Sequence, residues 1–143
     1  MAEQSGGLTT KFVETYTQLT KHNLSELENL YHADVIFEDP AHKVIGWRNL
    51  HNYFIRLFRT VNECTFEVHD TLTDKDKAYI QWTMTFSHPR IASGEPRSVK
   101  GCSRLEYKEN CVISHRDYFD MGEMIYEGVP VLGSVIRRIK VSL

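Results

Sequence analysis

Apolar residues recur along this chain with two different periods, and the switch between them divides it into a helical part and a sheet part. Phe12, Val13, Tyr16, Leu19 and Thr20 fall at helical spacing and predict a first helix over about residues 9 to 22. Ser25-Glu26-Leu27-Glu28 has the spacing of a capping box, in which serine and glutamate satisfy each other's exposed backbone donors, so a short second helix ending near Tyr31 is expected. Trp47, Leu50, Tyr53, Phe54, Leu57, Phe58 and Val61 mark a third and stronger helix, with Gly46 just outside its start. Between them, Val35-Ile36-Phe37-Glu38 reads as a short strand stopped by Pro40, and the proline holds Asp39 extended.

From residue 64 onward the period drops to two. Cys64, Phe66 and Val68 alternate with Thr65, Glu67 and His69; Ile80, Trp82, Met84 and Phe86 alternate with Tyr79, Gln81, Thr83 and Thr85. Two more strands are predicted over residues 98 to 107 and 111 to 120, around the turn Lys108-Glu109-Asn110. Helices first and strands afterwards segregate onto opposite layers, the α+β arrangement. The end of the chain, from Pro130, predicts a short helical tail with Arg137, Arg138 and Lys140 near its C-terminus. Neither an internal repeat nor a linker interrupts the sequence, so residues 1–143 are expected to form one domain, with a core over about 8–127 and a tail over about 128–143.

Composition narrows the function classes. With 41% hydrophobic and 25% charged residues in 143, the chain has the make-up of a soluble globular protein. The start MAEQSGG has no apolar core of a secretory signal, and the expected location is the cytoplasm. A net charge of −2 gives no long-range pull on nucleic acid, and no nucleic-acid or membrane partner is expected. Seven histidines form no HExxH motif and three cysteines no CxxC, so neither a metal nor another cofactor is expected.

The candidate chemistry lies in carboxylates. Asp39 leaves a strand beside an aromatic helix; it either caps a turn or borders an apolar cavity, where a carboxylate is a stronger proton acceptor than in water. His115 and Asp117 stand two apart on one strand and so share a face, where they can hydrogen-bond to each other. On the adjoining strand, Val99, Gly101, Ser103, Leu105 and Tyr107 face the same way, together with Cys111, Ile113 and Phe119. Arg116, Tyr118 and Asp120 have the opposite parity, and a register error of one residue would exchange the two sets.

The stretch from Thr9 through VIFEDP, followed by KVIGWRNLHNYF and later by HRDYFDMGEMIYE, resembles the NTF2-like superfamily, and in particular its SnoaL-like and ketosteroid isomerase members. The resemblance implies a cone of three N-terminal helices packed on a strongly curved antiparallel or mixed sheet. It implies a pocket for a hydrophobic small molecule, a homodimer and no cofactor. By the same resemblance, the isomerase base falls on Asp39, its oxyanion tyrosine near Phe12, with Tyr16 one turn later, and its protonated aspartic acid on Ser103. The cyclase acid-base aspartate falls on Asp117, with His115 beside it. The catalytic candidates are therefore Asp39, Asp117 and His115, within walls from Phe12, Tyr16, Phe37, Trp47, Tyr53, Phe54, Trp82, Phe86, Ser103 and Phe119. Three functions stay open: a cofactor-independent isomerase or cyclase that abstracts a proton from a small carbonyl compound, a non-catalytic small-molecule binder, and an interaction module using the sheet face.

Overall fold

The computed structural model describes residues 2–143. Helix α1 spans Ala2–Thr17 and buries Leu8, Phe12 and Tyr16, one per turn, on a single face. It starts earlier and stops earlier than the apolar spacing suggests. It stops because the Asn23 carboxamide oxygen turns back to accept the Thr20 backbone N–H at 2.7 Å, closing a loop after Leu19. Ser25 falls inside the next element and not at its cap position, so the capping box does not form. Residues Leu24–Asn29 make a 3₁₀ helix without a side-chain cap, burying Leu24 and Leu27. Two α-helices and a 3₁₀ segment thus stand where three helices were expected.

Strand β1 (Tyr31–Glu38) begins four residues ahead of the expected one, and the short β2 (Lys43–Ile45) folds back on it. Gly46 then takes φ +86°, a left-handed turn that glycine adopts without strain, and releases the chain into α2 (Trp47–Thr60). This helix buries Leu50, Phe54 and Phe58, again one per turn. The remaining strands are β3 (Glu63–Asp74), β4 (Lys77–Ser87), β5 (Arg97–Lys108) and β6 (Cys111–Phe119). Alternation is clean on β4, where Ala78, Ile80, Trp82, Met84 and Phe86 all point into the core. The C-terminal part adds the short α3 (Met121–Met124) and α4 (Pro130–Ser142), with proline in the first turn of α4.

The sheet has six strands in the order β2-β1-β6-β5-β4-β3. Only β1 and β6 run parallel; every other neighbouring pair is antiparallel. The strongly curved cone expected from the family resemblance is not what forms. The sheet is open and not strongly curled: its order is linear, and among the described residues the edge strands β2 and β3 each have one partner. A hollow arises instead between layers, because side chains from α1 and α2 stand off the sheet face that they cover.

Register carries the site. Ser103 pairs with Asp117, Leu105 with His115 and Gly101 with Phe119, so these residues share the inner face. An irregularity between Glu106 and Tyr107 then pairs Tyr107 with Val112, which puts Val112 in the core instead of Cys111 and Ile113. No helix among the described residues is long and apolar enough to cross a membrane.

Candidate functional site

Side chains from α1, α2 and strands β1 and β3 to β6 enclose a partly open cavity of about 100 Å³. A cavity of roughly 150 Å³ accepts a molecule the size of benzene, so the enclosed part here holds somewhat less than one such ring, and a ring-sized ligand extends through the mouth. The walls are mostly rings and methyl-bearing chains. Phe12, Tyr16, Phe37, Tyr53, Phe54, Trp82, Phe86, Ser103 and Phe119 all line it, as do Asp39, His115 and Asp117.

Trp47 does not. It stacks on Tyr31, centroids 5.7 Å apart, and on His51 at 5.1 Å, neither of which lines the cavity. Several apolar lining residues were not singled out in the sequence, among them Val13, Leu57, Phe66, Met84 and Met124. Their spacing marks them as core, and spacing does not distinguish core from cavity wall.

Asp39 serves both purposes considered for it. Its Oδ1 accepts backbone N–H groups from Ala41 and His42 at 2.8 and 2.7 Å, which closes a turn. Its Oδ2 accepts the Tyr53 hydroxyl at 3.0 Å on the cavity side. His42 Nδ1 lies 3.3 Å from both groups. Burial, reinforced by the Asp39 charge, holds the Tyr53 hydroxyl well above the ordinary tyrosine range.

The second carboxylate is set differently. Asp117 Oδ1 accepts from Ser103 Oγ at 2.5 Å and meets His115 Nε2 at 2.6 Å. Among the described residues nothing donates to Oδ2. Trp82 Nε1 donates to Ser103 Oγ at 2.9 Å, which fixes the serine from the other side. His115 is only 2% exposed; the rings of Phe12 and Phe37 meet its edge or face at 5.5 and 4.9 Å. Its Nδ1 lies 2.8 Å from the Tyr31 hydroxyl, and Tyr31 lies 2.5 Å from the hydroxyl of Tyr16. Burial raises both tyrosines well above their usual range, so both hydroxyls keep their hydrogens.

Tyr31 is the polar residue that sequence reasoning missed. A signal was present, since Tyr31, Val35 and Phe37 are separated by even numbers of residues and all prove buried. Arg104 and Arg116, by contrast, pair with Glu106 at 2.7 Å and Glu38 at 2.6 Å, so neither arginine joins the two aspartates. Among the described residues no cluster of three or more potential metal ligands occurs.

Cys64 also lines the cavity, and burial pushes its thiol up to about 12. Alkylation of Cys64 in the folded protein at pH 8 is therefore expected to run on the order of a thousandfold slower than that of an ordinary exposed thiol. Mass spectrometry of iodoacetamide-treated protein checks this, with Cys64 becoming labelled only after denaturation.

A family model described as "SnoaL-like domain" matches residues 11–115. Among functionally curated proteins none matches. Solved structures share the fold at low identity. One is a hypothetical protein with a ketosteroid isomerase-like fold from Catenulispora acidiphila, in complex with trimethylamine: 15% identical, 86% of this chain and 92% of that one covered, TM-score 0.72. Another, a putative SnoaL-like polyketide cyclase from Shewanella putrefaciens, is 21% identical over 85% of this chain and 93% of its own, with a TM-score of 0.69. A third, an NTF2-like protein of unknown function from Burkholderia pseudomallei, is 12% identical over 85% and 94%, with a TM-score of 0.73.

Proposed function

This chain belongs to the SnoaL-like domain family, and on that premise we propose that it removes a proton from carbon next to the carbonyl of a small hydrophobic compound, with Asp117 as the base. One observation carries the choice. Asp117 has one oxygen held by two partners and the other left for a ligand, whereas both oxygens of Asp39 already accept hydrogen bonds. A base needs a lone pair within about 3 Å of the proton that it takes, and Asp117 Oδ2, which accepts no hydrogen bond from any described residue, offers its lone pairs without displacing a partner. His115, between Asp117 and Tyr31, orients the carboxylate, and the apolar walls exclude competing water. Asp39 fixes Tyr53 at the rim. The reaction is isomerisation if the proton returns to another carbon, and cyclisation if the carbanion attacks a second carbonyl of the same molecule.

Binding without turnover is the second reading, and two residues favour it. Phe12 has no hydroxyl where the isomerase resemblance places an oxyanion donor, and the hydroxyl hydrogen of Ser103 is committed to Asp117. A single experiment separates the two readings. Small cyclic and aryl ketones, screened for binding by thermal shift, are incubated with the protein in D₂O and followed by NMR. Catalysis predicts deuterium entering the carbon next to the carbonyl faster than in buffer, whereas retention of ligands with no excess exchange leaves only binding. The outer sheet face, which exposes Leu72, Tyr79 and Tyr118, is where a second copy would pack in the expected homodimer.

A further inference from the structure

Six side chains at the cavity, separate from the Asp39–Tyr53 pair, form one continuous hydrogen-bonded series, from Trp82 through Ser103, Asp117, His115 and Tyr31 to Tyr16. Its two ends differ in kind. Trp82 can only donate, because an indole N–H has no acceptor lone pair. Ser103 therefore accepts from Trp82 and gives its own hydrogen to Asp117 Oδ1. The proposed reaction uses Asp117 as a carboxylate, and the atom facing its Oδ1 at 2.6 Å, His115 Nε2, then supplies the hydrogen. The direction of this half of the series is fixed.

The other half is not fixed, and one hydrogen decides it. When His115 is neutral, its hydrogen is on Nε2 and Nδ1 must accept, so the Tyr31 hydroxyl points at Nδ1. Tyr31 then offers Tyr16 only a lone pair, and the Tyr16 hydrogen is used inside the protein. The cavity meets Tyr16 as an acceptor. When Nδ1 gains a proton, every arrow between His115 and Tyr16 reverses. Nδ1 donates to Tyr31, Tyr31 donates to Tyr16, and the Tyr16 hydrogen faces the cavity.

We propose that Tyr16 and His115 act as one proton station, with Tyr16 as its contact with the ligand, His115 as its store and Tyr31 as the positioning residue that connects them. Loading balances without any phenolate. Tyr16 takes a proton from the cavity and passes its own to Tyr31, which passes its own to Nδ1; the imidazolium charge then lies beside the Asp117 carboxylate. Unloading runs the same three transfers backwards and delivers one proton to a ligand oxygen at Tyr16. Burial keeps both tyrosines un-ionised, which leaves the imidazole as the group that holds the extra proton. The titratable groups facing His115 are Tyr16 from α1, Tyr31 from β1 and Asp117 from its own strand, whereas β5 presents Leu105 and Ser103. Asp39 and Tyr53 from the loop and α2 border the same cavity.

This inference rests on the proton-abstraction reading and extends it. Asp117 Oδ2 takes hydrogen from carbon while Tyr16, supplied by His115, gives hydrogen to oxygen, so the ligand becomes an enol and no bare enolate has to survive in an apolar hollow. The substrate class that follows is a one-ring carbonyl compound with its oxygen at Tyr16 and its acidic C–H at Asp117.

NMR of the free native protein tests the station without a substrate. With ¹⁵N-histidine and ¹³Cζ-tyrosine labels, Tyr16 Cζ is expected to shift with the same pH midpoint as His115 Nδ1. Tyr31→Phe, which leaves the cavity lining unchanged, is expected to remove that inflection from Tyr16 while His115 still titrates, and to slow any deuterium exchange roughly tenfold to a hundredfold. A native Tyr16 that is silent while His115 titrates overturns the proposal, as does a His115 that never changes protonation state or an inflection that survives Tyr31→Phe. The native titration decides alone if the variant does not fold. Coupling without any ketone exchange keeps the station and removes the enolisation reading; exchange without coupling does the reverse.

Discussion

Replacing Asp117 by asparagine is expected to lower the rate of deuterium exchange into a bound ketone by at least about a thousandfold while leaving ligand affinity almost unchanged. The substitution keeps the shape of the side chain. The asparagine oxygen can still accept from Ser103 and His115, at the positions now 2.5 and 2.6 Å away, so the fold and the neighbouring hydrogen bonds survive. What changes is the second atom, where an NH₂ group that cannot take a proton replaces Oδ2. Exchange measured by NMR, with affinity from calorimetry, resolves the two effects. A variant that exchanges within tenfold of the native rate would rule Asp117 out as the base. Asp39→Asn is the internal comparison: both Asp39 oxygens are already engaged, by backbone and by Tyr53, so its loss of rate is expected to be much smaller.

Gly101→Ala carries the largest expected effect on stability. Gly101 pairs with Trp82 across β4 and β5, and a Cβ built on it would lie 2.7 Å from Trp82 Cζ3 and 2.5 Å from Cζ2. The indole is 5% exposed and cannot swing into solvent. It has to tilt, against Phe66 and Phe119 and away from the 2.9 Å bond to Ser103. Overpacking of this kind costs about 1–3 kcal/mol, and the lost hydrogen bond about 1 kcal/mol more. A chain of this size should then melt roughly 10 °C lower in scanning calorimetry. The clashing atoms belong to the six-membered ring of the indole, which phenylalanine lacks at that depth, so Trp82→Phe in the alanine background should restore part of the loss. An alanine variant as stable as the native chain would mean that the strand and ring can separate freely.

How far the sequence could be read depends on the range of the contact concerned. The face of α2 and the inner face of β4 follow from spacing alone, because a helix or strand exposes its period directly to the core. His115 and Asp117 share a face for the same reason. The early start of β1 is masked by Ser25 and Glu28, whose spacing suggests a capped α-helix running to Tyr31, whereas the segment is a 3₁₀ helix that ends at Asn29. The parallel pairing of β1 with β6 has no local signature, and neither does the irregularity that turns Val112 inward. Tyr31 therefore could not be connected to His115 from spacing, although the two are neighbours in the polar series. The openness of the sheet was equally out of reach, since it depends on how strands at the two edges end.

That parallel pairing also governs when the cavity can exist. Tyr31 and His115 are 84 residues apart in the chain, and their strands become neighbours only after β6 has been made. Contacts of such long separation close late and limit the folding rate. A ribosome-bound chain that stops at β5 would possess both α1 and α2 yet no proton circuit at all. Acquisition of ligand binding should consequently be among the last events of folding, and would serve as a reporter that the sheet has closed up to its sixth strand.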